Sequence, residues 1–260
     1  MRIPVYQIDA FAERVFEGNP AAVCPLSGWL DNAVMQSIAA QNNLSETAFF
    51  VQTAPDGADL RWFTPRAEVN LCGHATLASA YVWFEHLGHA GPEVTFHTRS
   101  GALRVRRAAQ GLQMDFPAVL TTPCETLATL GSVLGAAPRQ VLRGMDLVAV
   151  FDDEQQIRAL SPDFAAIACL DARGVVVTAP GQGCDFVSRC FYPALGVDED
   201  PVTGSAHCAL APYWARRLGR DRLSARQLSR RGGTVHCEVR GERVLLEGGA
   251  VDYLKGEIIL

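Results

Sequence analysis

Chemistry can be built from two short stretches. Leu71-Cys72-Gly73-His74 leads into a nearly uninterrupted apolar run, Ala75 to Leu87, which reads as a buried helix with an imidazole at its mouth. A helix start leaves its first N–H groups unpaired and carries positive potential, so this mouth suits a carboxylate or a developing enolate oxygen. The pattern returns in Val202-Thr203-Gly204-Ser205, at a fixed offset of 131. Gly73 falls on Gly204, Ala75 on Ala206, Ala78 on Ala209, Ala80 on Ala211 and Trp83 on Trp214, while His74 falls on Ser205. The repeat predicts two similar halves, each with a central helix whose N-terminus faces a shared cleft.

Carboxylates stand where such mouths could use them. Glu46 opens the apolar strand Thr47 to Val51; the bland reading is an exposed edge residue. The sharper one is a carboxyl with its pKa raised by desolvation, able to act as base and then acid. Asp200 sits before Pro201, which keeps it out of regular helix and on a rigid approach to Gly204-Ser205. Its neighbours Asp198 and Glu199 read as an acidic surface turn. Gly18-Asn19-Pro20 makes a tight turn whose free N–H groups could face a ligand, which adds Asn19 to the substrate-binding candidates. Glu46, His74 and Asp200 as catalytic residues, with Gly73, Gly204, Ser205, Asn19 and Cys72 binding substrate, describe proton transfer on a small carboxylate, with neither cofactor nor metal.

Other chemistries fit less well. Lys255 is the only lysine and lies near the C-terminus, against Schiff-base catalysis. The six histidines form no HExxH, and the eight cysteines form no CxxC. His86 and His89 read as solvent-exposed at a frayed helix end, and His207 is left undecided. No G-x-S-x-G elbow precedes Ser205, although a Ser205–His74–Asp200 triad stays conceivable. Gly181-Gln182-Gly183 fails as a dinucleotide fingerprint because Phe186 stands at its last glycine position. Cys72 at the helix mouth could carry an activated thiolate, but a two-thiol racemase needs a partner, and the repeat supplies Thr203.

The elements that must position these groups follow from patterning. Strands are expected over 2–11, 44–51 and 60–65, the last two as a hairpin, and a helix over 30–43. Three strands fill 92–117, with the boundary between halves at 114–123. Residues 123–135 read as a helix, 161–164 as a helical turn, and 166–180 as strand. The closing strands from 223 could join either half. This gives an α/β chain in two halves, 1–115 and 116–260. Its 260 residues carry a net charge of −5, which gives no case for nucleic acid or an anionic membrane, and no apolar stretch reaches membrane-spanning length. The scattered cysteines read as reduced thiols of a cytoplasmic protein.

Six stretches together carry a resemblance: 9–23 (DAF, four residues, FEGNPAAV), 43–50 (NLSETAFF), 61–65 (RWFTP), 71–79 (LCGHATLAS), 114–117 (MDFP) and 198–207 (DEDPVTGSAH). In this order they closely resemble the PhzF-like family, whose namesake is the phenazine-biosynthesis isomerase and whose fold is shared with diaminopimelate epimerase. The resemblance implies two α/β domains, each a highly curved, mostly antiparallel sheet wrapped around a central helix, and a homodimer. It implies cofactor-free isomerisation with Glu46 as the proton shuttle, and His74, Asp200, Gly204 and Ser205 holding the substrate. This chain has Cys72 before and Ala75-Thr76 after Gly73-His74, where the namesake looks more like Ala-Gly-His-Pro, so the exact substrate does not carry over. Cys72 also resembles one catalytic cysteine of diaminopimelate epimerase, whose second falls on Thr203. The alternatives are an epimerase or racemase using Cys72 with a second base, and a non-catalytic ligand-binding protein.

Overall fold

The computed structural model describes residues 1–125 and 127–260. It divides into two compact units, Met1–Asp115 with Glu247–Leu260, and Phe116–Leu246.

In the first unit β1 (Arg2–Ala10) is flanked by β2 (Asn19–Leu26) and by the C-terminal strand Ala250–Ile259, both antiparallel to it. The terminal strand therefore returns to the N-terminal unit, which the sequence left open. Helix α1 (Asn32–Asn42) crosses over to β3 (Glu46–Ala54), which runs parallel to β2 with Ala21 beside Glu46. Met35, Ile38 and Ala39 of α1 are buried with Phe49 and Phe63, and Leu30 and Val34 pack partly buried against them. Asn43 ends α1 in the left-handed region, φ 49°, a conformation asparagine tolerates better than most residues. The expected hairpin forms between β3 and β4 (Gly57–Phe63), with Thr47 opposite Phe63. After β5 (Glu68–Val69) comes α2 (Gly73–Tyr81), buried at every position from His74 to Ala80 and packed on β1, β2 and β3. A helix apolar all round has to lie in the interior. It closes with a π turn, Val82–His86, then β6 (Glu93–Thr98), β7 (Gly101–Ala108) and β8 (Gly111–Pro117) form the expected antiparallel meander.

The second unit begins with β9 (Thr122–Pro123) and α3 (Leu127–Leu134); residue 126, inside the expected helix 123–135, lies outside the described residues. β10 (Gln140–Arg143), β11 (Leu147–Val150), α4 (Glu154–Ala159) and α5 (Phe164–Ala168) follow. Here the sequence reading is corrected: 166–168 is helix, because Asp163 caps α5 by accepting the N–H of Ala166. β12 (Val175–Pro180) runs parallel to β11 and antiparallel to β13 (Phe186–Tyr192), and the short β14 (Val197–Asp200) leads to α6 (Gly204–Leu218). β15 (Arg222–Gln227) lies parallel to β13, and β16 (Gly233–Arg240) pairs antiparallel with β15 before β17 (Arg243–Gly248). The pairing is thus mixed in both units, an α/β arrangement. α6 packs on β15 and β16, and the ring of Trp214 stacks on Phe186.

The repeat holds in three dimensions. α2 starts at Gly73 and α6 at Gly204, each preceded by an extended N-cap residue, Cys72 or Thr203, whose side chain does not cap the helix. Trp83 and Trp214 are both buried. All eight cysteines are free thiols. Among the described residues no helix is long and apolar enough to cross a membrane.

Candidate active site

Glu46 is placed by the strand start after α1. Its neighbour Thr47 is tied back to that helix by Asn42, whose Nδ2 donates to Oγ1 at 3.1 Å. His74 is placed by α2, whose first turn is fastened by Thr76 Oγ1 donating to the Cys72 carbonyl at 2.6 Å. The structure thereby brings three predicted residues together. His74 Nε2 lies 3.1 Å from Oε2 of Glu46, and Cys72 Sγ lies 3.5 Å from Nδ1 of the same ring. The Nε2–Oε2 contact is an ion pair set off the line of a well-aligned hydrogen bond. Cys72 and His74 are buried, and the Glu46 side chain keeps 18% of its exposure, the one member open to a ligand.

The electrostatics differ from the sequence expectation for Glu46. Burial does push its carboxyl upward, but the charge of the His74 ring 3.1 Å away, with a hydrogen bond from Cys72, outweighs it and holds the carboxyl below its ordinary value. Burial likewise opposes charging His74, yet Cys72 and Glu46 raise it well above 6.5. The pair is therefore a carboxylate beside an imidazolium at neutral pH. The expectation of an activated Cys72 thiolate is also corrected. Burial, reinforced by the Glu46 charge, pushes the thiol up to about 11, so it stays protonated despite the helix mouth.

Glu46, Cys72 and His74 offer ligand atoms within 4.8 Å of one another, and thiolate, imidazole and carboxylate are zinc donors. The thiol, however, meets Nδ1 while the carboxylate meets Nε2. Lone pairs on the two ring nitrogens diverge, so an ion held by one nitrogen would require the group that meets the other to turn away from the ring. The arrangement suits proton handling.

The second unit holds Asp200, Gly204 and Ser205, and Asn19 lies in the first. Asp200 ends β14 and accepts from Thr203 Oγ1. Gly204 and Ser205 open α6, and Ser205 Oγ accepts from Arg173 Nη2 at 3.2 Å. Arg173 is itself clamped on buried Asp146 through Nε and Nη2 at 2.8 and 2.7 Å, and Tyr192 donates to the same carboxylate. Asn19 is fully buried where β2 begins, opposite Ala10. His207 is also buried, and its Nδ1 donates to the Thr203 carbonyl at 2.8 Å. Burial lowers its pKa to about 4, which keeps it neutral and makes it a structural residue of α6. Glu199 is paired with Arg189 at 2.8 Å instead of lying in a free acidic turn.

Arg173, Asp146, Tyr192 and Gln227 escaped the sequence reading. Each comes from a different strand or loop with no motif spacing. The one signal present is the pair of charges in Asp171-Ala172-Arg173-Gly174, inside the expected strand 166–180, which in the structure starts only at Val175.

Comparison with known proteins bears on what this arrangement does. The sequence profile of the phenazine biosynthesis-like protein family (PhzC-PhzF) matches residues 8–256. An uncharacterized isomerase of Pseudomonas aeruginosa is 55% identical over 260 residues, with all of both chains covered. The crystal structure of a phenazine biosynthesis protein of the PhzF family from Enterococcus faecalis superposes with a TM-score of 0.98 at 48% identity, again covering both chains entirely. A phenazine biosynthesis PhzC/PhzF protein from Clostridium difficile gives 0.94 at 41% identity, covering 99% of this chain and all of that one.

Proposed function

This chain belongs to the phenazine biosynthesis-like (PhzF) family, and from that premise we propose that it is a cofactor-independent isomerase of a small carboxylic or amino-acid-like substrate, with Glu46 as the proton shuttle. Family membership supports isomerase or epimerase activity. The observation that carries the finer reading is the partly open Glu46 carboxylate held ionised against the buried His74. A carboxylate kept unprotonated at neutral pH is ready as a base, and Glu46 takes a proton from a carbon activated by a neighbouring carboxylate or double bond. The C–H bond breaks and its electron pair moves into the substrate. The charge that develops there is met by the imidazolium and by the uncapped first-turn N–H groups at Gly73 and His74. Glu46, now a carboxylic acid, returns the proton to another carbon of the same molecule. Nothing is oxidised or reduced, so the step balances without a cofactor.

In this reading Gly204 and Ser205 take a substrate carboxylate, and Asp200 a hydroxyl or amino group. Each unit is read as a curved sheet around its helix, which the packing of α2 on β1 to β3 and of α6 on β15 and β16 supports. A cytoplasmic homodimer is part of the same proposal.

Turnover of small cyclic and amino carboxylic acids in deuterated water tests it. Deuterium enters the product with the wild type and not with Glu46→Gln; exchange that survives Glu46→Gln defeats the proposal. Loss of activity in Cys72→Ala with Glu46→Gln still active would establish the epimerase alternative instead, against which the protonated Cys72 and the position of Thr203 stand.

A further inference from the structure

Gln227, at the end of β15, is fully buried and touches both Asp200 and Thr203. Its Oε1 accepts the backbone N–H of Thr203 at 2.9 Å, and its Nε2 donates to the Asp200 carbonyl at 2.7 Å and to Thr203 Oγ1 at 3.1 Å. The amide can sit only one way, because a peptide N–H must meet an acceptor and a carbonyl must meet a donor. Thr203 Oγ1 therefore accepts from Gln227, and its single proton is left to be donated to Oδ2 of Asp200, 2.5 Å away. Threonine at an N-cap would ordinarily turn its oxygen onto the first turn of its own helix. Here that oxygen is engaged elsewhere, and α6 begins without a side-chain cap.

We infer that Gln227 is a positioning residue that acts through Thr203 to hold Asp200 as an ionised hydrogen-bond acceptor, so that the ligand group Asp200 receives is a donor: an ammonium, amine or hydroxyl. The same amide keeps the α6 mouth open, because it draws the capping oxygen away. The ligand class rests on the assignment of Asp200 to substrate recognition made above; the hydrogen-bond relay does not. The other titratable and charged groups acting on this corner include Cys190 and Tyr192 of β13, both kept protonated by burial, Asp146 and Glu199 as negative charges and Arg173 as a positive one, and Cys190 also shares a hydrogen bond with Thr203. The Thr203 hydroxyl donates directly to the Asp200 carboxylate, and a hydrogen bond to the charged form favours that form.

The test follows the side-chain carboxyl carbon of Asp200 by NMR across pH, the resonance being identified by its loss in Asp200→Asn. Thr203→Val and Gln227→Leu raise the titration midpoint by about one pH unit relative to wild type, because a hydrogen bond to the charged form is lost. Thr203→Ser restores it. An unchanged midpoint in Thr203→Val, with the amide spectrum of the folded protein intact, overturns the relay even if Gln227→Leu fails to fold. Separately, wild-type deuterium exchange by Asp200→Asn overturns the recognition role and with it the ligand class, whatever the titration shows.

Discussion

The His74 imidazole faces the Glu46 carboxylate across 3.1 Å, with Cys72 on the ring's other nitrogen. Each of the first two groups sets the other's charge: Glu46 is lowered chiefly by His74 once burial is overcome, and His74 is raised by Cys72 and Glu46 against its own burial. Glu46→Gln removes one half of that exchange. Without the carboxylate, burial of the ring is opposed by Cys72 alone, and the His74 titration midpoint falls from its raised value, read from its ring proton shifts. Proton exchange by the variant falls at least about 100-fold, the low end of what a positioned acid–base contributes.

The pair also makes a definite pH signature in stability. Glu46 is depressed on folding, so its contribution is present above 4.5 and is lost as pH falls through its folded value. His74 is raised, so its contribution is present below 6.5 and is lost as pH rises through its own folded value. Both are fully present between 4.5 and 6.5. The Tm difference between wild type and Glu46→Gln is expected to peak in that window and shrink on either side. A difference independent of pH would mean that the two groups do not form an ion pair in solution.

Cys72 is expected to be a poor nucleophile although it lies at a helix start. With the thiol at about 11, only about one molecule in ten thousand is thiolate at pH 7. Iodoacetamide should modify it far more slowly than partly buried Cys124 or exposed Cys169. Mass spectrometry of peptides after brief alkylation reads this directly, and Cys72→Ala should keep activity within a few-fold of wild type.

Arg173 is expected to act on both stability and recognition. Arg173→Met leaves the buried Asp146 carboxylate without its charged partner, with Tyr192 still donating to it, at a cost of roughly 3 kcal/mol, the low end for a broken buried pair because a third of the arginine side chain is exposed. Ser205 simultaneously loses the donor that fixes its oxygen. Arg173→Lys restores charge but not the fork, so it should recover part of the denaturant midpoint and less of the substrate KM.

What could be read from the chain was whatever a local pattern encodes. The buried helix at 74–80, the hairpin of 44–51 with 60–65 and the offset joining Gly73 to Gly204 all survive in three dimensions because each rests on periodicity or self-similarity. Glu46, Cys72 and His74 were singled out individually, and they do meet. Their charge states were not legible, because the sign of the Glu46 shift depends on whether His74 or burial wins, and that is decided by a 3.1 Å contact between residues 28 positions apart. Arg173 and Gln227 were invisible for a related reason. Each reaches its target from a segment more than 20 residues away in sequence, with no spacing rule to announce it.

Gly204 separates the needs of folding from those of the ligand. It starts α6, and its φ lies outside the left-handed region; a Cβ added there would meet only Leu246 Cδ1, at an ordinary 3.7 Å. The fold therefore has no steric demand for glycine, and alanine restricts the unfolded chain more. Gly204→Ala should leave Tm unchanged or raise stability by about 0.4–1 kcal/mol. A carboxylate bound against the first-turn N–H groups would meet the new methyl, because close backbone approach is what glycine permits at an anion-binding helix start. The expected outcome is a folded, equally stable protein whose kcat/KM falls at least about tenfold, mostly through KM. Unaltered kinetics would remove the α6 mouth from substrate binding; a fall in both Tm and activity would mean that the glycine is there for packing after all.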